Sequence, residues 1–201
     1  MTGALDVFRS NGSYEVSGRE ALACAALGGV LAAVLLFHLP AVAAFASGYL
    51  VFTMLLVVLI DYRHFIIPNA LSLPAIPLGL LAAQSAFGLS LRETAFDHGL
   101  AALVAGGTFY AVRWIYWRLR GIEGLGLGDV KLAAAAGAWV GLGSLGATCL
   151  LATTAALAMV LVDRMRVPDQ ANVLAKALPF GSFIAPAIAV VWFANLFHLW
   201  G

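Results

Sequence analysis

At 201 residues, 63% of them hydrophobic and 10% charged, with a mean hydropathy of +0.97, this chain is far too apolar for an ordinary soluble domain. Its formal net charge of +1, without a basic tract, gives a nucleic acid nothing to bind. The fold class that fits is all-α, a polytopic transmembrane helical bundle with the lipid bilayer as its solvent.

Residues 1–20 are polar, contain Gly and Ser, and carry Asp6 and Glu15, unlike a cleaved signal peptide. The apolar stretch that follows is therefore expected to remain as an anchor, and 21–201 to form one transmembrane domain. From Ala21 to Ile60 there are forty residues without Asp, Glu, Lys or Arg. A helix needs roughly 20 apolar residues to cross the hydrocarbon. Two spans are predicted, about Ala21 to Leu39 and Ala41 to Ile60, separated at Pro40. A polar connector from Asp61 to Asn69 leads into a third span, about Ala70 to Leu91. A fourth runs from about Gly99 to Trp117, and a glycine-rich connector from Arg118 to Asp129 follows. Leu132 to Val162 is uncharged for thirty-one residues, which is long for one span and short for two. A split near Gly141 to Ser144 makes it two, with the first helix starting around Asp129. The last span covers about Ala177 to Trp200, for seven in all.

Basic residues resist translocation and collect in cytoplasmic loops. With the N-terminus cytoplasmic, Arg9, Arg19, Arg63, Arg113, Arg118, Arg120, Lys131, Arg164, Arg166 and Lys176 fall inside. Those are ten of the eleven basic residues, and only Arg92 falls outside. Both the Asp61 and Asp129 connectors then open on the cytoplasmic side. Trp114, Tyr116 and Trp117 suit an aromatic belt at that face. Ala133, Gly137 and Gly141 have the spacing of small residues that let helices approach. Cys24 and Cys149 sit in apolar stretches and read as packing residues, with no metal site.

Acidic residues are scarce enough to weigh singly. Asp6, Glu15, Glu20, Glu93, Asp97, Asp163 and Asp169 are adequately explained as solvated loop charges. Asp61 ends the apolar run Val57-Val58-Leu59-Ile60, where a carboxylate is costly unless it has a task or a partner. Alone it reads equally as a snorkelling charge paired with Arg63. Asp129 opens an apolar helix and alone reads as a cap. Together they are two carboxylates on separate helices at one membrane face. Held close, both cannot ionise cheaply, so one keeps a proton while the other activates water. Which is base and which acid is left open, since such a pair titrates as a unit. Gly124, Gly126 and Gly128 relax the backbone beside Asp129 and leave room for an extended substrate strand.

Gly126-Leu127-Gly128-Asp129-Val130-Lys131-Leu132 resembles the Gly-x-Gly-Asp signature of the type IV prepilin peptidases. The segment from Ile60 to Asn69, running on to Leu71-Ser72-Leu73-Pro74, resembles that family's first aspartate segment. Leu178-Pro179-Phe180-Gly181-Ser182-Phe183-Ile184-Ala185 is similar to its Pro-Phe-Gly segment, and Gly137 to Gly141 to the small-residue helix after the second aspartate. The resemblance implies an intramembrane aspartic endopeptidase of a bacterial inner (cytoplasmic) membrane. Its substrates would be prepilins or pseudopilins, cut between a short basic leader and an apolar segment. It implies Asp61 and Asp129 as the catalytic pair and Gly126 and Gly128 as substrate-binding or supporting positions. Lys131 would support the site's electrostatics, and Glu123 would meet the basic leader. No Cys-x-x-Cys pair occurs, although many relatives carry two in a methylation-associated region. Peptidase activity without S-adenosylmethionine-dependent methyl transfer, and without zinc or another cofactor, is therefore expected. Asn69 stands where many relatives have Asp.

Three rivals share some of these features. An ion- or proton-coupled transporter would place its carboxylates near the midplane in paired repeats, and none is evident. An inert membrane subunit of a pilus-assembly machine would not need either aspartate. The presenilin-type peptidases share Gly-x-Gly-Asp, but their Pro-Ala-Leu motif is missing. A serine hydrolase or metalloprotease is not supported. His38 and His198 read as interfacial, His64 and His98 as loop residues, and no His-Glu-x-x-His occurs.

Overall fold

The first helix starts where its free amides find a side chain. Ser17 accepts from the Arg19 amide, and Glu20 reaches back to the Ser17 amide at 3.1 Å, a capping box for α1 (Gly18–Leu35). The computed structural model describes residues 16–122, 124–166 and 178–198. Most of the polar segment 1–20, together with Glu123, Asp169 and Lys176, lies outside the described residues.

Pro40 separates α1 from α2 (Ala41–His64). The second helix runs one turn further than the apolar run, so Asp61 lies in its last turn rather than in a connector. It stops at Phe65, a non-glycine residue in the left-handed region (φ 55°), whose amide donates to the Asp61 carbonyl. Pro68 then forces extended backbone, and α3 (Asn69–Phe87) follows, closed by Gly88. Leu91 to Arg120 is helical throughout: α4 (Leu91–Thr94), a π-helical segment (Ala95–Gly99) and α5 (Leu100–Arg120). The outer loop expected around Glu93 and Asp97 is thus largely helix, capped by Ser90. The chain continues as α6 (Leu127–Arg166) and α7 (Gly181–His198). Every regular element among the described residues is helical.

Forty residues of α6 would extend about 60 Å if straight, twice the hydrocarbon thickness. The backbone instead breaks at Gly141 (φ 72°, ψ 175°), a conformation open essentially to glycine alone. The break lies at the point where the uncharged stretch called for a split. Two residues of the π-helical segment hold it. Asp97 Oδ1 accepts from the Leu142 amide at 3.0 Å, supplying a partner to the restarted helix. His98 Nδ1 lies 3.1 Å from the Ala138 carbonyl at the end of the first half. Neither is the loop residue expected from the sequence: His98 is 3% exposed, and Asp97, though half-exposed, lies in a helix and is bonded to another.

Among the described residues, four helices are long and apolar enough to cross a membrane: α1, α2, α3 and α6 from Leu127 to Met165; Gly181–Phe197 is a shorter apolar helix. The seven spans and the cytoplasmic N-terminus are expectations beyond this. α6 is the hub, packing on α3, α5 and α7, while α2 packs on α1, α3 and α7. The core is pinned by Trp139 and Trp192, whose rings meet edge to face at 5.0 Å. Their indole N–H groups donate to the Ala75 carbonyl (2.8 Å) and to Ser47 Oγ (2.9 Å). No buried side-chain nitrogen or oxygen among the described residues lacks a hydrogen-bond partner, as a bilayer demands.

Candidate active site

Asp61 is 4% exposed. A carboxylate buried so deeply needs donors, and α7 brings them. The Ser182 amide donates to Asp61 Oδ2 at 2.7 Å and the Ser182 hydroxyl to the same oxygen at 3.1 Å. Ser182 occupies the first turn of α7, where amides have no partner within the helix and the dipole favours an anion. Arg63, the partner that sequence proximity offers, is turned away to Glu20.

Asp129 lies half-buried in the first turn of α6. Its carboxylate bends back over the helix start, so that a Cβ on Gly126 would lie 3.1 Å from Oδ2. Asp61 and Asp129 are linked through Ile67, which meets Gly128 beside Asp129 and Gly181 beside Asp61.

Ile67 makes the seam between the three segments. A Cβ on Gly128 would sit 2.8 Å from Ile67 Cβ, and one on Gly181 would sit 2.6 Å from Ile67 Cδ1 and 3.0 Å from Asp61 Oδ2. The connector after Asp61, the turn before Asp129 and the start of α7 are therefore in mutual contact. Their glycines are there because a methyl group does not fit.

Lys131, two residues past Asp129, donates to Asn69 Oδ1 at 2.6 Å and so ties α6 to the start of α3. The Arg113 guanidinium donates to the Leu125 carbonyl, holding the glycine-rich turn from α5. On the far side of Phe180, which stacks on Phe109 at 6.2 Å, an apolar cavity of about 360 Å³ opens between α5, α6 and α7, with Ala133, Cys149 and Ile184 among its walls.

Of the residues singled out in sequence, Asp61, Asp129, Gly126 and Gly128 are gathered here, and Lys131 stands beside them on Asn69. Glu123 lies outside the described residues, and its assignment rests on the sequence resemblance alone. Ser182, Gly181, Ile67 and Arg113 were missed as site residues. The Pro-Phe-Gly segment marked the first two as unusual, but Ser182 and Asp61 are 121 positions apart and nothing local links them. Among the described residues, no group of three or more His, Cys, Asp or Glu is placed to hold a metal ion.

Fold and site together define a class: a multi-pass helical membrane protein in which carboxylates from two helices are gathered at one end of the bundle. The model of the type IV leader peptidase family matches residues 48–193, and the chain belongs to that family. It is 34% identical over 190 residues to a prepilin leader peptidase/N-methyltransferase of Burkholderia pseudomallei (strain 1026b), covering 92% of this chain and 58% of that protein. It is 34% identical over 137 residues to the protein of the same description from Pseudomonas aeruginosa, covering 67% and 44%. The leader peptidase HopD of Escherichia coli is 35% identical over 136 residues, covering 68% and 84%. The chain thus spans about half the length of the two methyltransferase-bearing relatives. No solved structure matches it.

Proposed function

We propose that this protein is an intramembrane aspartic endopeptidase that removes the short basic leader of prepilins or pseudopilins at the cytoplasmic face of a bacterial inner membrane. The observation that carries the reading is the meeting at Ile67 of the segments that follow Asp61, precede Asp129 and begin α7, with Ser182 of α7 bonded to Asp61 itself, in a chain of this family. The names of the relatives supply the substrate class.

Two carboxylates suffice for the chemistry. One takes a proton from water as the water oxygen attacks the peptide carbonyl carbon, while the other gives its proton to the carbonyl oxygen. Collapse of the tetrahedral intermediate breaks the C–N bond, with a proton delivered to the departing amine. Neither step requires a metal. Lys131 supports the site by joining the two aspartate segments through Asn69. Gly126 and Gly128 keep the approach to Asp129 clear, and the family resemblance assigns Glu123 to meeting the basic leader.

The length of α6 favours an intramembrane site. Leu127 to Val140 is fourteen residues, about 21 Å of helix, short of the roughly 30 Å hydrocarbon. With the Gly141 break at the outer boundary, the Asp129 end is recessed below the cytoplasmic one. The N-terminus is cytoplasmic in this reading and the chain crosses the membrane seven times.

The test is cleavage of a co-expressed prepilin by wild type, Asp61→Asn and Asp129→Asn at matched protein levels. Cleavage by wild type alone is expected. Full activity in either variant removes that residue from the pair. Failure of wild type on several leaders puts a transporter or an inert pilus-assembly subunit in this reading's place.

A further inference from the structure

We infer that Ser182 is a positioning residue of this site, holding Asp61 by its Oδ2 so that Oδ1 is the oxygen that exchanges protons with water and substrate. The inference rests on the peptidase reading and adds to it a third component, the first turn of α7. Asp61 sits near the end of α2 and is almost wholly buried, so protein donors orient its side chain. The two hydrogen bonds it receives from Ser182 both fall on Oδ2, from the amide at 2.7 Å and the hydroxyl at 3.1 Å, and the Gly181 amide also faces the carboxylate. An oxygen accepting two donors has its lone pairs engaged, so a proton taken up by this carboxylate goes to Oδ1. Gly181 completes the arrangement, because its missing side chain lets the α7 backbone come this close.

The hydroxyl has a second acceptor. Ser182 Oγ is 3.3 Å from the Val58 carbonyl, one turn back along α2. When Asp61 becomes neutral in the catalytic cycle, the hydroxyl proton can turn to Val58 and stay bonded, so no buried donor is stranded. The amide bond persists in both states. Ser182 therefore follows the charge on Asp61 without moving the backbone. A threonine retains this hydroxyl, an alanine keeps only the amide, and a proline, admissible in a first helical turn, lacks both donors and also gives up the amide's 3.1 Å bond to the Pro179 carbonyl.

The experiment measures kcat, KM and thermal stability in detergent for wild type, Ser182→Thr, Ser182→Ala and Ser182→Pro, cleaving a purified prepilin. Loss of one hydrogen bond to a charged group predicts a kcat about tenfold lower or more in the alanine variant, with KM near wild type. Threonine should restore most of the loss, and proline should fall further, toward the level of Asp61→Asn. Full kcat in the alanine variant overturns the inference. So does a threonine variant as impaired as alanine, or a loss of kcat that merely tracks melting temperature. A wild type that does not cleave, or an active Asp61→Asn, defeats the peptidase reading itself and the inference with it.

Discussion

Arg63 Nη2 lies 2.6 Å from Glu20 Oε1, and its Nη1 lies 3.1 Å from Glu20 Oε2, so the cation nearest Asp61 in sequence is bound to another acid. The fork-to-fork pair joins the first turn of α1 to the last turn of α2. Asp61 is left to the donors of α7, and its burial rules out the snorkelling charge that its sequence position allows. Glu20 is likewise an interhelical partner and not merely a solvated charge.

This separation predicts that Arg63→Ala keeps most of its prepilin cleavage while Asp61→Asn loses it. The pair is partly exposed, so its loss should lower thermal stability slightly, and less in high salt than in low. Melting curves at two salt concentrations, run beside the cleavage assay, check both parts. An inactive but well-folded Arg63→Ala would mean that the cation serves the site directly.

The contact of Gly181 with Ile67 Cδ1 and Asp61 Oδ2 predicts an effect that a second substitution relieves. Gly181→Ala places a methyl group against both and should reduce cleavage at least about tenfold, a displacement of the reacting group being enough for that. Ile67→Val removes Cδ1, the nearer obstacle, and the double variant should recover part of the activity. A double variant no better than Gly181→Ala would show that the contact with Asp61 alone decides. Cleavage rates at matched expression measure it.

At the opposite end of the bundle, Gly141→Ala should be costly for two reasons. Its backbone lies where other residues pay about 1–3 kcal/mol, and the added Cβ would come 2.7 Å from Asp97 Oδ2. Asp97→Ala removes the acceptor for the Leu142 amide and should cost about 0.5–2 kcal/mol, as a lost helix cap does. Asp97→Asn keeps an acceptor oxygen and should cost less than alanine. Thermal unfolding in detergent orders the three, and the order fails if alanine at 97 is neutral.

Much of the candidate site was legible because apolar surroundings make rare groups informative. Among ten acids, Asp61 and Asp129 stood out by bordering long uncharged runs, where an unpartnered carboxylate is expensive. The split of Leu132 to Val162 followed from length alone, since no single crossing needs thirty-one residues. The Gly141 break falls where that arithmetic asked for it. Helix ends were less legible. α2 outlasts its apolar run because Asp61 finds donors on α7, and Leu91 to Arg120 stays helical where charges suggested a loop.

The sequence by itself determined that this chain is a helical bundle for a bilayer, that it belongs among proteins with a Gly-x-Gly-Asp turn, and which two carboxylates are worth testing. Tertiary structure alone decided which polar groups meet: Ser182 with Asp61, Arg63 with Glu20, Lys131 with Asn69, and Asp97 and His98 with the broken ends of α6. The physical reason is the solvent. In water a helix advertises its buried face by an apolar stripe, but in lipid both faces are apolar, so the rotation of each helix leaves little trace in the pattern. Only packing, through contacts such as Gly181 and Gly128 on Ile67, settles which side of each helix faces its neighbours, and with it the geometry around Asp61.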